Sequence, residues 1–275
     1  MCQSTHSSQL FPHGELEQVF PNIWFVQGGW DMPVPLKPRI SRSMVIIRHS
    51  QDSITLVNSM RLNDEGLKQL EALGRVENVI RLASMHGADD NFYRERYGAK
   101  VYALKGTQYT RGLTVDIENT KSYLQPDFWF DEKTRLPIPE AKVWVMRSPK
   151  LKEACLLLPQ HNGILLSGDM LHNTPRPNSF TNITAKLFMR LFGLARSYNI
   201  GVGWWHMTKP SGDELRQLLT LPFEHVLPIH GEPVIGNAKN KYRKAIERFA
   251  SRSDAKQWHS NTDSNTGHPE REMRG

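Results

Sequence analysis

The chain has 275 residues, 39% of them hydrophobic, so it is long enough to bury a core, and its composition excludes fibrous and disordered classes of protein. No run approaches the roughly 20 apolar residues that span a bilayer, so we expect no membrane contact. The formal net charge is +7, but the segment from Lys239 to Lys256 holds seven Lys or Arg against two acids and contributes most of it. A solvated helix explains such a segment better than nucleic-acid binding does.

Short β-rich runs, each bounded by turn residues, occupy the first sixty residues. They are Ile23–Gln27, Ser43–Arg48 and Ser53–Asn58. Three such runs in under forty residues predict an antiparallel meander. The Pro-rich stretch at residues 33–38 is predicted to be the loop between the first two strands.

Helices and strands alternate over the next segment. Asn63 is predicted to cap a helix that ends at Gly74, because Asn accepts hydrogen bonds from the first turn and Gly permits the chain to leave the helix. The sequence then predicts a strand, a helix and a strand: Val76–Ala83, Phe92–Tyr97 and Lys100–Leu104. This alternation is typical of an α/β layer.

The second half repeats a plan of strands followed by helices. The predicted elements are strands Lys142–Met146, Ala154–Leu158 and Gly163–Ser167, helix Ile183–Ala195, a helix opened by a capping box at Ser211–Glu214, strand Val226–Ile229 and a helix from about Asn237 to Ala250. Two sheets packed face to face, with helices on both outer faces, accommodate both halves in one domain over residues 15–250. Residues 251–275 are polar and lack periodicity, so they are predicted to be a disordered tail.

Polar residues that can bind a metal follow three of the predicted strands. The three groups are His86 with Asp89 and Asp90, Asp169 with His172, and His230. Strand ends meet at one edge of a layered fold, and carboxylate with imidazole suits Zn, Mn or Fe. Taken singly, each residue has a simpler explanation: the paired acids can cap the following helix, and His172 can be a surface turn residue. Their joint occurrence at three strand ends favours a site.

The motifs at these strand ends resemble those of a known superfamily. Gly-Asp169 after a hydrophobic strand, and Leu-Pro-Ile-His230-Gly-Glu-Pro further on, are similar to the fourth and fifth motifs of the metallo-β-lactamase superfamily. The stretch from Ile80 to Asp89 falls where that superfamily has its H-x-H-x-D-H motif, and residues 91–104 resemble an uncharacterised branch. The resemblance covers residues 15–250 and implies an αββα four-layer sandwich of the metallo-β-lactamase type.

The chain departs from the superfamily pattern at several ligand positions. Ser84 replaces the first His, Ala88 replaces the Asp, and Leu151 or a neighbour stands at the third-motif His. The resemblance therefore implies a reduced site with one metal rather than two, held by His86, Asp89, Asp169 and His230. Asp89 or Asp90 is expected to orient the attacking water, and Glu153 and His172 are further candidate ligands.

The expected function is a metal-dependent hydrolase that acts on an ester, thioester, lactone or phosphoester and carries one divalent transition metal, with zinc preferred over manganese or iron. The alternative is a non-catalytic scaffold of the same fold that binds a small molecule or a protein. The expected partner is a small-molecule substrate; the oligomeric state is open. With only Cys2 and Cys155 available, no disulfide framework is expected, which favours a reducing, cytoplasmic location.

Overall fold

The computed structural model describes residues 9–50, 52–110, 113–192 and 194–264. Within these ranges the chain forms two β-sheets and six α-helices. The strands are β1 (Glu17–Phe20), β2 (Ile23–Asp31), β3 (Arg39–Arg48), β4 (Ser53–Val57), β5 (Arg75–Arg81), β6 (Lys100–Leu104), β7 (Phe128–Phe130), β8 (Lys142–Met146), β9 (Glu153–Leu158), β10 (Ile164–Thr174), β11 (Arg196–Ile200) and β12 (His225–Gly231). The helices are α1 (Asp64–Leu73), α2 (Asp90–Tyr97), α3 (Ile183–Phe192), α4 (Val202–Thr208), α5 (Gly212–Gln217) and α6 (Ala238–Ser264).

The first sheet contains β1 to β7 in chain order. Strands β2, β3 and β4 pair antiparallel, which confirms the predicted meander. From β4 onward each strand pairs parallel with the next, because α1 and α2 provide crossover connections between β4 and β5 and between β5 and β6. Strand β5 therefore lies between β4 and β6 rather than at an edge of the sheet, and the loop after it starts from this interior strand.

The second sheet has the order β11–β10–β9–β8. Strand β12 lies outside this order and pairs parallel with β10. The facing surfaces of the two sheets share one apolar core that includes Ile80, Leu166 and Leu227. Helices α1 and α2 pack on the outer face of the first sheet, and α4, α5 and α6 pack on the outer face of the second. The result is the predicted αββα sandwich.

Local sequence signals explain how the helices begin. The Asn63 side chain accepts a hydrogen bond from the Gly66 backbone N–H at 2.8 Å, as predicted for the start of α1. The Ser211 hydroxyl accepts from the Glu214 N–H at 3.1 Å and caps α5 in the same way. These caps satisfy donors that have no partner inside the helix.

The last helix differs from the prediction. It continues past Ala250 to Ser264, so residues 251–264, predicted to be disordered, are helical. The reason lies in two contacts beyond the predicted end: Trp205 Nε1 donates to the Ser253 hydroxyl at 2.9 Å, and Arg216 pairs with Asp254 at 2.7 Å. Residues 265–275 of the predicted tail lie outside the described residues. Within the described ranges, none of the helices has the length and apolar character to cross a bilayer.

Candidate metal centre

Three side chains from three different elements converge at one end of the sandwich. His86 lies in the loop after β5, Asp169 in β10 and His230 in β12. Asp169 Oδ1 is 2.9 Å from His86 Nε2 and 3.0 Å from His230 Nε2. One ligand atom from each residue lies within 4.8 Å of the other two. This confirms the predicted convergence of the three residues.

A bulge in β10 directs Asp169 toward the two histidines. Ser167 pairs with Pro228 of β12, and the next pair is His172 with His230. Five residues of β10 therefore advance the pairing by only two residues of β12, so the extra residues of β10 bulge out of the ladder. The bulge also needs Gly168, because a Cβ at that position would lie 2.7 Å from the Ala83 Cβ. The Gly-Asp motif thus combines a close approach of two strands with a carboxylate turned out of the ladder.

The protonation of His230 is fixed by the first sheet. His230 Nδ1 lies within hydrogen-bond distance of the Ser41 carbonyl in β3. A carbonyl only accepts, so Nδ1 carries a proton. Nε2 then faces Asp169 either as the second N–H donor of the imidazolium or, in the neutral ring, as a lone pair that a metal ion can bind. A backbone carbonyl behind the ring is the arrangement found for histidines that bind metals.

The charges of the cluster also suit a cation. Burial alone would raise the pKa of Asp169, but the neighbouring His86 and His230 outweigh it and hold that pKa well below its ordinary value. Asp169 Oδ2 is buried and has no hydrogen-bond partner among the described residues. An anionic carboxylate with an unsatisfied oxygen beside two imidazoles therefore fits a metal, which requires deprotonated ligands.

The structure does not bring Asp89 to this cluster, in contrast to its predicted role as metal ligand and catalytic residue. Its carboxylate is 2% exposed, pairs with the Arg42 guanidinium and accepts from the Arg61 backbone N–H at 2.9 Å. The cause is the turn at Gly87, where φ is +99° and the chain reverses before α2. Nor does Asp89 cap α2, since its side chain makes no capping hydrogen bond there.

Asp90, the other predicted catalytic residue, also faces away from the cluster. It is fully buried and accepts hydrogen bonds from the Ser59 hydroxyl at 2.6 Å and from the Tyr109 hydroxyl. Burial raises the pKa of Asp90 above its ordinary value, although both hydroxyls oppose that shift. Asp90 therefore links the start of α2 by hydrogen bonds to the segments that follow β4 and β6.

A buried arginine that the sequence analysis did not single out supports the same loop. Arg81, 1% exposed, donates to the His86 carbonyl at 3.2 Å and to the Thr107 hydroxyl at 2.6 Å. Its guanidinium lies 3.5 Å from the centre of the Tyr109 ring. An arginine directly after the apolar pair Val79-Ile80, at the end of the strand, was the available signal, because such a group must have buried acceptors.

The remaining candidate ligands lie next to the cluster without joining it. The Glu153 carboxyl accepts from the Met170 N–H at 2.7 Å, and burial followed by the charge of Asp169 raises its pKa well above the ordinary value. The His172 ring packs at a tilt against the His230 ring, with the ring centroids 4.7 Å apart, and burial followed by His230 lowers the pKa of His172 to about 3.

The positions that departed from the superfamily pattern supply no ligand. The Ser84 hydroxyl donates to the Lys152 carbonyl at 3.0 Å, so it is committed to the backbone. Leu151 is 2% exposed and packs as an apolar side chain. Neither side chain therefore joins the cluster of His86, Asp169 and His230.

A cavity of about 220 Å³ opens in front of the cluster. His86, Asp169 and His230 form one side of it, and the ring of His172 lies beside them. The rest of the lining is mainly apolar and includes residues of β2, α3, α4 and the loop that contains Met85. The cluster can therefore reach a small molecule that enters the cavity.

Solved structures place this arrangement in a known fold. A metallo-β-lactamase from Hirschia baltica aligns at 15% identity over 88% of this chain and 98% of its own, with a TM-score of 0.54. The mono-zinc form of the metallo-β-lactamase FIM-1 from Pseudomonas aeruginosa aligns at 11% identity over 89% and 96%, with a TM-score of 0.54. A flavo di-iron protein from Thermotoga maritima aligns at 13% identity over 89% and 62%, with a TM-score of 0.56.

The chain thus has the fold of the metallo-β-lactamase superfamily, as the motifs at the strand ends predicted. At these low identities the likeness concerns the fold alone. No family model and no curated protein matches the sequence.

Proposed function

We propose that this protein is a metal-dependent hydrolase with one divalent transition metal ion held by His86, Asp169 and His230. The observation that carries the proposal is the contact of Asp169 Oδ1 with both Nε2 atoms, at 2.9 and 3.0 Å, where the Ser41 carbonyl accepts from His230 Nδ1 and leaves Nε2 as the ring atom that can bind a metal. Three protein ligands and an open position are the composition of a catalytic zinc site. Two imidazoles and a carboxylate suit zinc first, and manganese or iron as alternatives.

When bound, a divalent ion of this class polarises a carbonyl or phosphoryl group and lowers the pKa of water. The chain's own residues have separate tasks. The Ser41 carbonyl holds His230 in the required tautomer, and Arg81 holds the backbone of His86. The apolar side of the cavity excludes water and strengthens electrostatic interactions at the cluster. Esters, thioesters, lactones and phosphoesters are the substrate classes for such a site.

A non-catalytic scaffold of the same fold is the second candidate. The observation that favours it is the loss of ligands at Ser84 and Leu151, whose side chains are bound to the backbone or buried. Both candidates bind a small molecule in the cavity. Both are also compatible with the reducing, cytoplasmic location predicted from the two cysteines.

The test is metal content together with hydrolysis. Purified protein is stripped with a chelator, reconstituted with Zn, Mn or Fe(II), and analysed for bound metal and for hydrolysis of simple esters, thioesters and lactones. We expect about one equivalent of metal and activity that depends on it. Protein that folds but retains no metal after reconstitution would reject the hydrolase and favour the scaffold.

Two buried carboxylates provide a matched pair of variants. Asp169→Asn removes the charge from the cluster, whereas Asp90→Asn makes the same change outside it. We expect Asp169→Asn to lose metal and activity while Asp90→Asn keeps about one equivalent per folded chain. Circular dichroism establishes that both variants are folded. Equal loss of metal in both would show that the cluster is not the binding site.

A further inference from the structure

We propose that the cavity in front of the cluster binds an apolar acyl chain, so that the substrate is an acyl ester, thioester or lactone rather than a phosphoester. This inference rests on the proposed function for the reaction, but the binding of the chain itself does not require a metal. It follows from the composition of the cavity wall and from its charge.

Four methionines and two tryptophans are among the residues that line the cavity around the cluster. They are Trp30, Met32, Met85, Met189, Trp204 and Met207. Methionine is unbranched and polarizable, so it adapts to ligands of irregular shape. A flexible hydrocarbon chain gains from such a wall because it displaces water from apolar surface along its whole length.

The charge of the cavity argues against a phosphorylated substrate. Among the described residues that line it, Arg196 is the one lysine or arginine. Phosphate recognition generally uses several charged donors, often in bidentate geometry. A neutral acyl group next to the cluster requires no such donors.

Gly203 of α4 provides a variant that tests the chain site directly. It lines the cavity, and a Cβ added there would meet no heavy atom within 4 Å. Gly203→Leu thus adds an isobutyl group at the cavity without a backbone clash, and it removes a glycine from a helix, which favours folding. His206→Leu is the matched control, because His206 is an exposed residue of the same helix that does not line the cavity.

The first arm of the experiment measures binding without chemistry. Metal-free and reconstituted protein are titrated with 1-octanol and 1-butanol, neutral probes that differ in chain length, and the fluorescence of the cavity tryptophans is followed. We expect saturable binding that is about tenfold or more tighter for 1-octanol, in both metal states. Gly203→Leu should weaken 1-octanol binding about tenfold, whereas His206→Leu should leave it unchanged.

The second arm measures hydrolysis of 4-nitrophenyl acetate and 4-nitrophenyl octanoate by the reconstituted protein. The wild type should prefer the octanoate by about tenfold or more in kcat/KM, and Gly203→Leu should remove that preference. Hydrolysis without chain preference, or 1-octanol binding unaffected by Gly203→Leu, would overturn the acyl site even if the hydrolase stands. Octanol binding that Gly203→Leu weakens, in a protein that binds no metal, would support the acyl site and reject the hydrolase.

Discussion

His86 and Asp89 are three residues apart in one loop, yet they belong to different parts of the molecule. The His86 ring faces the cavity, 2.9 Å from Asp169, whereas the Asp89 carboxylate is buried against Arg42 of β3. Gly87 lies between them with a φ of +99°, and α2 begins at Asp90 directly after Asp89. Residue type alone therefore does not decide which acid near a histidine joins its cluster; the backbone conformation of the loop also contributes.

The two buried carboxyls Asp169 and Asp90 repeat this contrast in their chemistry. Both are almost inaccessible to solvent. Beside His86 and His230 the pKa of Asp169 is lowered despite its burial, but the pKa of Asp90 is raised because burial outweighs the hydroxyls of Ser59 and Tyr109. The first is therefore an anion within the cluster, and the second is a buried carboxyl with a structural role.

The largest effect is expected at the cluster. His230→Ala removes the ligand whose tautomer is fixed by Ser41, and we expect no measurable metal binding and no stabilisation by added metal. A metal that binds only the folded state raises the free energy of unfolding, so the melting temperature of the wild type should rise with metal concentration. The measurement is thermal unfolding with and without zinc.

The control for His230→Ala is His225→Ala, at the other end of the same strand and outside the cluster. It should keep the response to zinc. If His230→Ala were still stabilised by zinc as much as the wild type, the metal would lie elsewhere and the contrast between His86 and Asp89 would lose its meaning.

The predicted site residues that converge in the structure are those that follow directly from a strand or lie in one. His86, Asp169 and His230 each follow an apolar run, and the ends of adjacent strands meet in space, so spacing along the chain did not matter. Asp89 could not be placed, because its direction depends on a positive φ at Gly87 and on a partner, Arg42, that lies 47 residues earlier. Single-sequence patterns contain neither.

Most of the fold was predictable for a similar reason. Strands β6 and β8 have the predicted bounds, because each is a compact apolar run between turn residues. Strands β1, β7 and β11 have only three to five residues, and their hydrogen bonds to neighbouring strands, not their own sequence, define them. The end of α6 was missed because its contacts with Trp205 and Arg216 are tertiary.

The second prediction concerns stability on the buried side of the loop. Asp89→Ala leaves the Arg42 guanidinium buried without its carboxylate, so we expect the free energy of unfolding to fall by about 3–5 kcal/mol. Urea unfolding measures the change. The double variant Arg42→Met with Asp89→Leu contains neither charge, so no buried charge is left without a partner. It should recover most of the free energy of unfolding that Asp89→Ala loses.

The metal content of Asp89→Ala is a second, independent measurement on the same variant. Folded Asp89→Ala should still bind about one equivalent of zinc, since Asp89 is not part of the cluster. A variant of unchanged stability that has lost its metal would instead restore Asp89 as a ligand and invert the comparison between the two ends of the loop.

The smallest effect is expected at His172, which lies beside the cluster but is not part of it. Its Nε2 is directed at Gly201, where an added Cβ would come within 2.8 Å, and its ring packs against His230. His172→Ala therefore removes packing rather than a ligand, and the dissociation constant for zinc should change by less than about tenfold. Competition with a chromophoric chelator measures the dissociation constant, and elemental analysis gives the stoichiometry.

If the wild type held two equivalents and His172→Ala held one, His172 would be a ligand to a second ion and the single-metal proposal would be wrong. If the wild type and His172→Ala both hold one equivalent of zinc, the ligands are limited to Asp169 and the two histidines that contact it.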